Sequence, residues 1–179
     1  MSAPHLPPSN VAHVQQGAAL ITALLLLVVL TILGLSVMQM SRVQEKMAGN
    51  TRDINVGFEA AEAALRNAEA LIDQKTTAPI GCPADPPPCT FWQHGAVGDV
   101  ASQSPEWWKA NAAPFTDGNG QPMKGVAENP QFVIEELVKQ VDVPTPAPVT
   151  RVFYQVTARS TGASGLANTI VQSTFARKY

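Results

Sequence analysis

At 179 residues the chain is long enough for one domain and an appendage. Twelve Lys and Arg against fourteen Asp and Glu leave a formal net charge of −2. With no basic run to neutralise phosphates, this excludes a nucleic-acid binder. Two cysteines are too few for a disulfide-dense scaffold or a four-cysteine zinc site.

Residues 1–17 are polar and proline-bearing and end in Gly17. No Asp, Glu, Lys or Arg precedes Arg42, and after Pro4, Pro7 and Pro8 no proline occurs until Pro79. Ala18 to Met38 is an uncharged stretch of 21 residues, thirteen of them Leu, Ile or Val. As a helix it measures ~31 Å, matching a hydrocarbon core of ~30 Å. At ~0.3–0.6 kcal/mol each, the thirteen aliphatic side chains favour insertion by roughly 4–8 kcal/mol. This is a membrane segment.

Beyond Arg42 the pattern changes without a helix breaker. Val43, Met47, Ile54, Phe58, Ala61, Leu65, Ala68 and Ile72 recur three, four or seven residues apart, which places them along one helix face. Glu62 and Arg66 form an i,i+4 pair in the favourable orientation. One nearly continuous helix over 18–75 is therefore expected, apolar all round at first and amphipathic later. Its amphipathic half is expected to hold the rest of the chain through Phe58, Leu65 and Ile72. Gly49 and Gly57 weaken it by ~1 kcal/mol each relative to Ala, so the middle is its softest part.

Pro79 and Gly81 end the helix, and CPADPPPC follows as a loop. Residues 91–130 carry turn signals every few residues, with one short helix expected at SPEWWKAN, capped by Ser104 with Pro105 at its first position. The aromatic residues Phe91, Trp92, Trp107, Trp108 and Phe115 read as core or as a partner surface; adjacent Trp107 and Trp108 cannot share a helix face. QFVIEELVKQV reads as a strand, and DVPTPAPVT as a connector. RVFYQVTAR alternates, with Val152, Tyr154, Val156 and Ala158 on one side, and NTIVQSTFAR returns after the STGASG loop. The fold class expected is α+β: a long N-terminal helix covering the apolar face of a small antiparallel sheet.

The stretch QQGAALITALLLLVVLTILGLSVMQMSRVQEKMAGNTRDINVGFEAAEAALRNAEALI resembles the amino-terminal region of the PilX-type minor pilins of the type IV pilus. QFVIEEL with YQVTARSTGASGLANTIVQSTFAR resembles that family's carboxy-terminal sheet. The resemblance implies a type IV pilin-like fold in four parts. Residues 1–17 are a prepilin leader, 18–40 the transmembrane half of the helix, 41–78 its amphipathic half, and 79–179 a periplasmic globular head.

It also implies cleavage after Gly17 by a prepilin peptidase and N-methylation of Ala18. The helix is then kept, unlike that of an ordinary secretory signal. The protein would be an inner-membrane single-pass subunit that joins the pilus and helps initiate its assembly. Its partners would be other minor pilins, the major pilin and a large tip adhesin. Charge placement alone, with Arg42, Lys46 and Arg52 beyond the segment, would put that end in the cytoplasm. Thr22 stands where most pilins carry the glutamate that neutralises a neighbour's terminal ammonium, which points to a place at or near the tip. A pseudopilin of type II secretion and an uncleaved single-pass envelope binding protein are the alternatives.

In an oxidising periplasm Cys82 and Cys89 favour a disulfide, whose short ring contributes at most ~2–3 kcal/mol. Free thiols are the alternative, since the PPP run is stiff. Asp117, Asn119, Gln121 and Glu128 occupy the first, third, fifth and twelfth places of a calcium-loop spacing, but Pro122 stands where a turning glycine belongs. An ordinary turn with an unrelated Glu128 is the competing reading. No other cofactor is implied. No catalytic set emerges either: GASG lacks the nucleophile-elbow spacing and His94 has no evident nucleophile partner.

Overall fold

A computed structural model describes residues 16–83, 89–142 and 149–179. The expected leader, apart from its last two residues, lies outside the described residues, as do the centres of the CPADPPPC loop and the DVPTPAPVT connector. The chain divides into two compact units, Met1–Met47 and Ala48–Tyr179.

In the first unit the described residues are helical throughout, as the beginning of α1, Gln16–Asp73. Every large apolar side chain from Leu20 to Met38 is 43–68% exposed. Length and hydropathy suffice for a membrane crossing.

The second unit holds the remainder of α1, which ends at Asp73, and a sheet. Its elements are β1 (Phe91–Trp92), a 3-10 turn (Val100–Ser102), α2 (Pro105–Asn111), β2 (Ala113–Pro114), β3 (Gln131–Asp142), β4 (Val149–Ser160) and β5 (Thr169–Lys178). Strand order is β1-β3-β4-β5, with β2 also paired to β3. The three long strands form the expected antiparallel meander. The sheet as a whole is mixed, because β1 joins β3 in parallel, Phe91 opposite Ile134. Two-residue strands carry too little alternation to be legible as strands.

The sheet has a core on each face. On the helix side Ala64, Ala68 and Ile72 meet Phe132, Ile134, Val152, Tyr154, Val156 and Ala158, all buried. Alanines at 60, 61, 64 and 68, none more than 3% exposed, keep the helix close to the strands. Phe58 is 47% exposed, so the expected Phe58 contact gives way to these small residues. Leu65 is partly buried there and Ile72 fully.

On the opposite face Trp92 and Trp108 are buried with Cys89, Val97, Val100, Ala112 and Val133. Period-two alternation sends Val133 to that side and its neighbours Phe132 and Ile134 to the other. The aromatic residues therefore divide between two cores: Phe91 and Phe115 pack on the helix side. Trp107 stays partly buried, edge-on to Trp108 at 6.0 Å. Ser104 caps α2 as expected, its hydroxyl accepting the Trp107 N–H at 3.2 Å, with Pro105 at the first position.

Candidate functional site

Gly17 and Ala18 sit in the first turn of α1, both exposed. The Thr22 hydroxyl donates to its own helix, to the Ala19 carbonyl at 2.9 Å and the Ala18 carbonyl at 3.2 Å. Thr31, Ser36 and Ser41 likewise donate to Val28, Ile32 and Val37. Each hydroxyl is thus satisfied one turn back, which removes the cost of carrying a free donor in an apolar medium. Helix α1 offers no side-chain charge from Gly17 to Ser41. Its chemistry is therefore apolar contact.

In the second unit, Cys82 and Cys89 are joined as a disulfide with Cα atoms 6.3 Å apart. The Cys82 N–H donates to Phe91 and its carbonyl accepts from Gln93, at 2.8 and 2.9 Å, laying this segment parallel beside Trp92. Gly81 is required there, since a Cβ would come within 2.9 Å of the Gln93 nitrogen. Cys89 is buried against Trp92 in the far-face core, so the bridge fastens the chain leaving the helix to that core.

Three of the calcium-spaced residues lie together and the fourth has a partner of its own. The Asp117 carboxylate accepts the Asn119 and Gln121 N–H groups at 2.8 and 2.7 Å, closing a turn. Asp117, Asn119 and Gln121 line one open cavity with Lys124, whereas Glu128 pairs with Lys109 at 2.8 Å. Among the described residues no group of three His, Cys, Asp or Glu side chains could hold a metal ion.

One contact that sequence reasoning missed joins α1 to the β4–β5 hairpin. Asp53 accepts hydrogen bonds from the Ala163 and Ser164 N–H groups at 2.8 Å and from the Ser164 hydroxyl at 2.6 Å. The Ser164 hydroxyl first, then its N–H, hold the Asp53 carboxyl below the ordinary aspartate value. Gly162 makes the approach possible: its φ is +68°, and a Cβ there would lie 2.8 Å from the Asp53 carbonyl oxygen. The partners are 110 and 111 residues apart, and only the Gly/Ser composition of STGASG hinted at an unusual turn. At the other end of the helix contact Arg177 pairs with Asp73, and the Ser173 hydroxyl donates to Glu69 at 2.7 Å. On the sheet, burial first and the Tyr179 hydroxyl second push the Tyr154 phenol upward, so it stays protonated.

A long helix, exposed and apolar in its first part and alanine-faced over a small sheet in its second, defines a pilin-like membrane-anchored protein. Two family models match the chain: PilX N-terminal over residues 16–66, and type IV pilus assembly protein PilX C-term over residues 63–177. The chain belongs to the PilX family, and is a minor pilin of the type IV pilus. The family is one of structural proteins. Neither a curated relative nor a solved structure matches it.

Proposed function

We propose that this minor pilin takes part in initiating pilus assembly, within a tip complex that includes other minor pilins. In this reading a prepilin peptidase cleaves after Gly17 and Ala18 becomes the N-methylated terminus. Residues 18–40 serve as the transmembrane stem, 41–78 continue the helix, and 79–179 form a periplasmic head. The major pilin adjoins the complex, and a large tip adhesin docks on head loops between residues 80 and 130.

The observation that carries the tip assignment is Thr22. No carboxylate lies between Gly17 and Ser41, and the Thr22 hydroxyl is engaged within its own helix. A neighbour's terminal ammonium placed against this stem would remain unpaired in apolar surroundings, at high cost. A subunit with that defect fits best where one neighbour is missing.

Two measurements test the reading. Intact mass of the mature chain is expected to show loss of residues 1–17 and gain of one methyl group. Immunogold labelling is expected at fibre ends. A full-length chain would favour an uncleaved envelope protein, and labelling along the shaft would overturn the tip position.

A further inference from the structure

The β4–β5 hairpin builds a feature beyond its turn. Where it meets α1 it leaves an open groove of about 530 Å³, lined by Gly49, Asn50, Asp53, Ile54, Ser164 and Leu166. Leu166 is 90% exposed at the hairpin and Ile54 is 55% exposed on the helix. Leaving such side chains in water forgoes the free energy that burying them would release. Isolated exposed leucines are ordinary, but two aliphatic side chains on opposite walls of one groove are a surface. The wall at Gly49 is open, since a Cβ there would meet nothing within 4 Å.

The charge pattern narrows the occupant. Asp53 is the single ionisable residue lining the groove, and its carboxylate already accepts three hydrogen bonds from the hairpin. An incoming cation would compete with donors already in place, whereas an aliphatic side chain displaces nothing. A polar peptide would leave its own groups unpaired against Ile54 and Leu166. The chain itself displays the complementary kind of surface: an uncharged helix from Ala18 to Met38 with its leucines, isoleucines and valines exposed and its hydroxyls internally bonded. Outside lipid, such a helix needs apolar cover.

We infer that the groove between Ile54 and Leu166 receives the apolar stem helix of a neighbouring pilin subunit, with Leu166 as the hook. This rests on the assembly reading above. The hairpin then has two tasks: Asp53 fixes it to its own helix, and Leu166 grips the next subunit.

The test uses the full chain in piliated cells, with Leu166 replaced by a photo-crosslinking benzophenone amino acid. Illumination is expected to give a crosslink that mass spectrometry maps to the stem of another pilin. The same probe at Gln172, exposed on β5, is expected to give none. Leu166→Ser is expected to lower pilus number toward that of the deletion strain at unchanged level of the mature chain. Crosslinks to a head domain or to lipid, or full piliation with Leu166→Ser, would overturn the groove assignment. Lost pili on deletion with no stem crosslink from position 166 defeats the groove alone. Normal pili on deletion defeat the assembly reading and the groove with it.

Discussion

The two ends of α1 use apolar residues in opposite ways. From Leu20 to Met38 the side chains are large and exposed; from Ala60 to Ile72 the inward-facing ones are mostly alanine and buried. Hydropathy would have ranked the first part as the core, yet the second part is covered by the protein's own sheet. Size explains the difference. Alanine lets the helix approach strands whose bulk comes from Phe132, Tyr154 and the valines of β4, so interdigitation is achieved from one side. A Leu-rich face is suited to partners that bring their own complementary surface, lipid or another stem. Burial follows fit to a partner as much as apolarity.

The sharpest separation of the two parts should come from the far-face core. Trp108→Ala removes a fully buried indole and is expected to destabilise the head by about 3–5 kcal/mol. The denaturation midpoint of the detergent-solubilised chain should fall while membrane retention is unchanged. A parallel loss of retention would show that stem and head are not separable.

Leu27→Arg probes the stem in turn. A charge near the helix centre costs about 2.5–3.5 kcal/mol of insertion free energy. Alkaline extraction should release more of this variant, with the head's denaturation midpoint unaltered.

Ala64→Leu tests the size argument directly. It adds hydrophobicity at a position with no exposure, and overpacking is expected to cost about 1–3 kcal/mol. A stabilised head, read by the same denaturant titration, would mean that apolarity rather than fit governs the contact.

The smallest effect concerns the hairpin. Because the folded Asp53 carboxyl titrates below 3.8, the stability it confers is present above that value and is lost as pH falls through the lower folded value. Thermal melts from pH 6 downward should show a decline below about pH 4 that is shallower in Asp53→Asn. Identical pH profiles would remove Asp53 from the head's acid sensitivity.

Much of this architecture was legible in the residues. Charge-free composition marked the stem, and alternation at Val152, Tyr154, Val156 and Ala158 chose the face of β4 that meets the helix. The long strands fall within two residues of their expected limits, and the Ser104–Pro105 signal located α2. Other features had no local signature. The one-face stripe from Val43 to Ile72 could not tell that Ile54 stays uncovered while Ala68 is enclosed, because periodicity reports a face and not how far a partner extends along it. The parallel addition of β1 to β3, Phe91 opposite Ile134, joins segments far apart in the sequence.

By itself, then, the sequence determined the apolar stem, the amphipathic continuation, the meander and the family, since each rests on composition or on short-range period. Tertiary structure alone decided the division of the aromatics between two faces, the pairing of Glu128 with Lys109, and the meeting of Asp53 with Ser164. Those depend on residues far apart in the chain being brought together, and local propensity carries no record of such distances.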